Sequence, residues 1–418
     1  MLSSITNSGP AMSFSLLKLA LRNLRRNTKR TLVAILTVAS GVIALLLAGG
    51  FINWIFYDMR EATIHSQLGH LQIVRPGYFE QGIADPYNYL LPADSGEMAK
   101  ISSIPGVNTI APRLAFGGLV SFGDTTIGFS GEGIDPGKEG KISTRISIKD
   151  GHDLGDDNKK EALLGEGLAK SLGVKVGDSI VLLATDANGS ANAIEVKVAG
   201  TFFTIYKDYD DTALRLPISL ARKLMRVDGA TSWVTLLDDS SLTKKTLSKF
   251  GSILSTKEFE ITPWYTLADF YNKTVVLFSK QVSVVKFIIG LIIILTISNT
   301  QTMSVLERTT EIGTTLAIGS RKSSVLTLFL IEGVLIGVAG GVCGLLFGYG
   351  LAQLISLIGI PMPPPPGMAH GYTGQILISP SLAVDALLLA VFTTLFASIL
   401  PAWKASRLNI VDALRCNQ

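Results

Sequence analysis

The chain has 418 residues, 47% of them hydrophobic and only 17% charged, with 37 basic against 33 acidic side chains and a formal net charge of +4. A mean hydropathy of +0.40 excludes an ordinary water-soluble domain of this size. The small positive excess does not indicate nucleic-acid binding either, because it lies beside the apolar segments and not on the stretch that could fold as a soluble domain.

In chain order, residues 1–30 form a basic amphipathic segment carrying Lys18, Arg22, Arg25, Arg26, Lys29 and Arg30 and no acid. Thr31 to Phe56 follows without a charge and predicts a first transmembrane helix at 31–56. A hydrocarbon core of roughly 30 Å needs about 20 residues of helix. This segment is also too long for a signal-peptide core of about 7 to 15 residues, so it reads as a signal anchor. Phe287 to Leu306 behind Lys286, Gly333 to Met368 behind Glu332 and Ala386 to Trp403 behind Asp385 are also uncharged, and predict spans at 281–305, 325–360 and 382–403. The loop at 306–324 carries Arg308, Arg321 and Lys322, and the tail at 404–418 carries Lys404, Arg407 and Arg415. By the positive-inside rule these two regions and the amino terminus share the cytoplasmic face. Anionic lipids attract such a basic margin.

Residues 57–280 lie on the opposite face, with stalk-like helix ends flanking a domain of about 195 residues, a size at which a chain builds its own core. HLQIV at His70 to Val74 alternates like a strand, as does VSFGDTTIGFSGEGI at Val120 to Ile134. Asp178 to Phe202 reads as a hairpin turning at Asp186 to Ser190. Leu163, Leu164, Leu168 and Leu172 recur at helical intervals, and Pro217–Val227 and Ser240–Leu254 are further helix candidates. The fold class is therefore four transmembrane α-helices with a large α+β extracytoplasmic domain inserted between helices 1 and 2. Trp54, Tyr57, Ile64 and Leu68 on one side, and Leu267, Phe270, Tyr271, Val275, Phe278, Val282 and Val285 on the other, continue apolar faces beyond the membrane as a stalk.

Both cysteines, Cys343 and Cys416, lie outside that domain, which must fold without disulfides. His65, His70, His152 and His370 show no metal-ligand spacing, so no metal is expected. No GxSxG turn supports a nucleophilic serine, and no GxxxxGK[ST] phosphate loop occurs. The expectation is a non-enzymatic chain. In the membrane, Gly333, Gly337 and Gly341, and likewise Gly340, Gly344 and Gly348, recur every four residues and permit close helix approach. The acids Glu332 and Asp385 sit near helix ends, where snorkelling or an interhelical hydrogen bond suits them better than an ion pathway. The loop 361–381 opens on PMPPPPGMAHGY, a stiff polyproline connector.

The segment ERTTEIGTTLAIG, Glu307 to Gly319, is long enough for one short helix along the inner surface. Glu307, Arg308 and Glu311 are polar, while Ile312, Gly313, Leu316, Ala317, Ile318 and Gly319 suit a groove on a partner. A plain turn with solvated charges is the other reading of these residues.

This segment, with FLIEGVLIG at Phe329 to Gly337, PAWKASRLNIVDALR at Pro401 to Arg415 and LALRNLRRNTKRTLVAILTVASGV at Leu19 to Val42, resembles the MacB/FtsX-type permeases of ABC transporters. LGVKVGDSIVL at Leu172 to Leu182 is similar to the family's extracytoplasmic core. The resemblance implies a dimer, with a second permease copy or a related permease, working with two copies of a separate cytoplasmic ATPase that holds ATP and Mg; this chain itself holds no cofactor. Glu307 to Gly319 would be its coupling helix, and motion driven by ATP would reshape the extracytoplasmic domain. The family often has arginine where this chain has Thr310 and Leu316, which leaves Glu307, Arg308 and Glu311 to carry the polar contact.

The proline loop and LGHLQIVRPGYFEQG at Leu68 to Gly82 look more like the lipoprotein-releasing LolC/LolE-like branch. That implies lipoprotein cargo, a periplasmic carrier, contact with membrane lipids, and a sideways gate in the inner membrane. Helical spacing selects Val38, Val42, Leu45 and Phe51 on helix 1 and Ile289, Ile293 and Ile297 on helix 2 as its lining. A MacB-like exporter of peptides or amphiphiles and an FtsX-like transducer that activates a cell-wall hydrolase stay open as alternatives.

Overall fold

Uncharged stretches rich in Leu, Ile, Val and Gly satisfy their backbone internally as long helices. In the computed structural model, which describes residues 10–93, 95–155, 157, 159–364 and 370–408, four helices are long and apolar enough to cross a membrane: Thr28–Thr63, Asp269–Glu307, Lys322–Ile358 and Pro380–Ser406. At 1.5 Å per residue the 39 residues of Asp269–Glu307 run about 58 Å, well beyond a hydrocarbon core. The fourth helix begins at a clear start signal, with Ser379 accepting from the Leu382 amide at 3.3 Å and Pro380 in the first turn. Arg415, Cys416 and residues 365–369 of the proline loop lie outside the described residues.

The chain divides into two units, one made of 1–56, 275–361 and 373–418 and the other of 57–274 and 362–372. In the first, Val38, Val42, Leu45, Leu46, Ile293, Ile297, Ile336, Ala386 and Ala390 form a filled core. The two glycine rows of the third helix serve different neighbours. A Cβ added at Gly340 or Gly344 would fall 2.6 Å from the Cβ of Val38 or Val42, so this row seats the first helix. The row Gly333, Gly337 and Gly341 meets Ser398, Thr394 and Leu387 of the fourth. The hydroxyls of Thr394 and Ser398 donate to carbonyls one turn back, at 2.9 and 2.6 Å, so they enter the apolar contact already satisfied. Phe287, Leu346, Phe347 and Leu357 are exposed, as suits helices whose outer surface meets lipid.

The second unit is an α+β domain. Its strands are β1 (Leu71–Val74), β2 (Val107–Phe122), β3 (Thr125–Ile134), β4 (Ser147–Gly151), β5 (Glu161–Gly165), β6 (Ser179–Thr185), β7 (Ala191–Phe203), β8 (Ala213–Pro217), β9 (Ser232–Leu237) and β10 (Glu260–Pro263). They form one mixed sheet in the order β10-β1-β9-β2-β3-β8-β5-β7-β4, with β6 joining β2 to β7. The pairings β2-β3-β8-β5-β7-β6 close into a ring around Leu114, Phe116, Leu164, Ile180, Leu182, Val196 and Leu214. The amino-terminal half of the 16-residue β2 leaves that ring and pairs with β9, beside a second core around Trp233, Ile73 and Phe250.

The hairpin predicted at Asp178–Phe202 is β6 and β7, with Asp186 accepting from the Asn188 and Ser190 amides in the turn. Leu163 and Leu164 do not share a helix with Leu168 and Leu172. They lie in β5, and the helix begins at Glu166, because central pairing to β7 and β8 overrides the local helical spacing. The apolar row assigned to a stalk is also divided. Leu267 belongs to a separate turn, Trp264–Leu267, and Phe270 and Val285 are exposed. Tyr271 packs edge-on to Trp264 at 5.1 Å, and Phe278 packs edge-on to Phe56 at 6.5 Å.

Candidate coupling site

The short segment between the second and third long helices folds as the predicted helix, Thr309–Ala317. It starts where Arg308, at φ −101°, breaks the preceding helix. It ends at Gly319, at φ +99°, where the Gly319 amide donates to Leu316 O and the Ser320 amide to Thr315 O, a glycine C-cap.

Its side chains sort differently from the sequence reading. Ile312, Gly313 and Leu316 are buried, and Ile312 and Leu316 pack with Val305, Val325, Phe329, Ala402 and Ala405, so they anchor the helix to its own bundle and are not offered to a partner groove. Arg308 is also turned inward, at 8% exposure. Its guanidinium sits 3.1 Å from Glu332 Oε1 and 5.5 Å from the centre of the Phe329 ring. Glu332, itself 5% exposed, accepts a second hydrogen bond from Asn23 Nδ2 at 2.8 Å. Burial without such partners would be costly, and here one carboxylate ties together the N-terminal helix Pro10–Arg26, the start of the loop helix and the third long helix. A polar cavity of ≈ 40 Å³ adjoins the pair, bordered also by Gln301, whose amide has no hydrogen-bond partner among the described residues.

The remaining acids face the N-terminal arginines. Glu311 takes Arg26 at 2.6 Å, and Glu307 takes Arg30. The Arg26 hydrogen bond, with Arg26 and Arg308 charge, holds the Glu311 carboxyl below the usual carboxylate range. Surface left for a partner includes Thr314, Thr315, Ala317, Ile318, Gly319, Ser320, Arg321 and Lys322, with Ile318 83% exposed at the tip. Asn23, Arg26, Arg30 and Gln301 were not singled out as site residues by sequence reasoning. The acid-free basic segment opposite a loop holding two glutamates was the one signal for the arginines; nothing local marks Asn23 or Gln301.

The residues chosen for a lateral gate are placed elsewhere. Val38, Val42, Leu45, Ile293 and Ile297 are buried in the core of their own bundle, where Val38 and Val42 fill the glycine row and Ile293 covers Gly41. Phe51 is half-buried, stacked on Trp54 and close to Gly374, and Ile289 lies against Gly41. Helical spacing finds the apolar face but not its direction. The outward apolar side chains are Leu32, Val33 and Leu36 on the first helix and Phe287, Ile288, Leu291, Ile292 and Leu295 on the second. Asp385 pairs with Lys286 at 3.0 Å, which links the fourth helix to the second. No cluster of metal-ligating side chains occurs among the described residues.

Four apolar helices, a large domain inserted between the first two and a short helix between the second and third define a multi-pass membrane protein of permease architecture. The family model for the MacB-like periplasmic core domain matches residues 31–249, and that for the FtsX-like permease C-terminal matches 283–410. The chain belongs to the MacB/FtsX-type ABC transporter permeases, and its inserted domain is extracytoplasmic. It is 25% identical to the uncharacterized ABC transporter permease MJ1507 of Methanocaldococcus jannaschii, over 95% of this chain and 96% of that protein. It is 27% identical to the macrolide export ATP-binding/permease protein MacB of Rhodospirillum rubrum, over 97% of this chain and 61% of that longer protein. The lipoprotein-releasing system transmembrane protein LolC of Xylella fastidiosa is 26% identical over 68% of this chain and 72% of its own length. Among solved structures, the periplasmic region of MacB from Actinobacillus actinomycetemcomitans aligns with 50% of the chain and 92% of that region at a TM-score of 0.35 and 14% identity.

Proposed function

We propose that this permease transmits the motion of two copies of a separate cytoplasmic ABC ATPase, which hold ATP and Mg, to its extracytoplasmic domain, and so extracts a lipid-linked substrate of the lipoprotein-release type from the inner membrane. The amino and carboxyl termini and the loop helix face the cytoplasm on this reading, and a second permease copy or a related permease completes the assembly. The observation that carries it is the loop helix itself. Its inner face is fixed by Ile312, Leu316 and the Arg308–Glu332 pair, while Ile318 stands in solvent at its tip. A push on Ile318 is therefore delivered to the third long helix and, through Asn23, to the N-terminal helix.

The filled bundle core supports mechanical transmission over conduction through a pore. Large apolar side chains on the outward faces of the first and second helices suit contact with acyl chains, which supports a lipid-linked cargo received from the side and handed to a periplasmic carrier. The test is co-purification with an ABC ATPase from native membranes. Ile318→Asp is expected to abolish capture with the thermal midpoint of the permease unchanged; capture and ATP turnover equal to the parent chain would overturn the reading. Photocrosslinkers at Leu36 and Ile292 distinguish the cargo. Acylated protein supports lipoprotein release, peptides or small amphiphiles support MacB-like efflux, and a cell-wall hydrolase contact with no cargo supports FtsX-like signalling.

A further inference from the structure

The first long helix does not end in a loop. After Thr63 it widens into a π-turn, Ile64–Leu68, and stops at Gly69, at φ +62°, where any Cβ would strike Val234. A helix end leaves its last carbonyls without intrahelical donors, and an added or lost residue in the ladder is a frequent mark of a functional element. Here each such carbonyl is taken by a group of the extracytoplasmic domain or the turn that follows. The Gly69 amide donates to Ile64 O at 2.9 Å and the Arg145 amide to His65 O at 3.0 Å. Arg215 Nη2 donates to Ser66 O at 3.0 Å, Arg113 Nη1 donates to Gln67 O, and Gln72 Nε2 donates to Leu68 O at 3.1 Å.

The two arginines are unusual in what holds them. Arg113 projects from β2 and Arg215 from β8, and they are only 5% and 2% exposed. Arg113 is forked onto Glu139, and Arg215 lies 3.0 Å from Glu132 and 3.6 Å from Glu139, with Ser143 Oγ at 2.9 Å. Tyr209 OH donates to Glu132 at 3.1 Å and closes the network. Burial drives the Glu139 carboxyl upward, but the two guanidinium charges outweigh it and leave it below its ordinary range. Buried ion pairs of this kind are seldom the most stabilising choice, since apolar side chains of the same volume commonly do as well. What they supply is a fixed direction: cations aimed at the negative end of a helix, seated on two strands of the closed ring.

We infer that Arg113 and Arg215 are positioning residues that form a rigid joint, locking the end of the first long helix to β2 and β8 so that displacement of the helix is delivered to the sheet instead of being absorbed in a hinge. This rests on the force-transmission reading above and assigns its point of delivery. Arg113, Arg215, Glu139 and Ser66 are all buried at this joint.

The test uses the full chain in lipid nanodiscs, with Cys343 and Cys416 replaced by serine and nitroxide labels on Tyr57→Cys and Glu195→Cys. Two charge-balanced variants, Arg113→Met with Glu139→Met and Arg215→Met with Glu132→Met, each release one carbonyl and leave no lone buried charge; Arg215→Lys keeps the charge without the fork. The interspin distance distribution is expected to be narrow in the parent and at least twofold broader in both paired variants, with Arg215→Lys intermediate. Distributions as narrow as the parent's in both paired variants overturn the joint. With the ATPase present, the paired variants are expected to retain ATP hydrolysis and lose about tenfold of output per ATP; unchanged output per ATP also overturns it. The distance arm needs no ATPase, so a parent chain that fails to bind one counts against the functional reading while the joint is judged by the distances alone.

Discussion

Arg308 Nη1 lies 3.1 Å from Glu332 Oε1, and Asn23 Nδ2 lies 2.8 Å from the same oxygen. The pair joins a loop, a long helix and the N-terminal helix at one buried point. Removing one partner strands a buried charge, so Glu332→Ala should lower stability by about 3–5 kcal/mol. Arg308→Met combined with Glu332→Leu should recover most of that loss. Thermal unfolding in detergent micelles reads both; a double variant as unstable as the single one would show that the pair is not the unit.

The Arg26–Glu311 pair is half-exposed on both sides, and such pairs contribute about 0.2–1 kcal/mol. Glu311→Lys should therefore leave the melting temperature nearly unchanged while swinging the N-terminal helix away from the loop helix. If its effect on ATPase affinity runs through that helix, Arg26→Glu should restore binding in the Glu311→Lys background. Equilibrium binding measured at low and high salt decides this. No rescue would mean that Glu311 meets the ATPase directly.

At Gly344 a Cβ would fall 2.6 Å from Val42 Cβ, and at Gly340 it would fall 2.6 Å from Val38 Cβ. Overpacking a close helix contact costs about 1–3 kcal/mol. Gly344→Ala should lose this much, and Val42→Ala should recover part of it, because the two changes share one contact. A cycle of melting temperatures with no coupling between the positions would refute the seating of the first helix in this row.

His70 is buried beside β9, and burial with the neighbouring His65 charge pushes its ring down to about 4. Nδ1 accepts from the Leu237 amide at 3.1 Å, so Nε2 carries the proton toward Ser240 Oγ at 2.9 Å. The folded value lies below the ordinary 6.5, so the unfolded chain binds the proton first. This stabilisation is complete above pH about 6.5 and is lost as pH falls toward about 4. The interval corresponds to about 3 kcal/mol. His70→Asn keeps an acceptor and does not titrate; it should flatten the pH dependence of the domain's unfolding between pH 4.5 and 6.5. An unchanged slope would remove His70 from the account.

Much of the architecture was legible in the residues because it rests on local and compositional physics. Uncharged stretches longer than a bilayer is thick must be helices, so the four spans followed from chain order alone. The hairpin at Asp178–Phe202 was readable from its turn chemistry, and the loop helix from its position between two spans. The direction in which each side chain points was not readable. Leu163 and Leu164 keep helical spacing yet lie in a strand, because pairing with β7 and β8 outweighs propensity. Val38 and Ile293 lie on apolar helices whose whole circumference is apolar, so periodicity could not separate the buried side from the lipid side.

The same limit governs the charged residues. Sequence alone determined that a membrane permease carries a short mixed-charge helix beside basic ends. Only the tertiary structure decided that Arg308 turns inward to Glu332 while Ile318 remains outside, and that Arg113 and Arg215 close on the carbonyls of Ser66 and Gln67. Those partners stand 24, 46 and 149 positions apart in the chain. A charge buried at low dielectric depends on the group that meets it across the fold, and spacing along the sequence carries no record of that meeting.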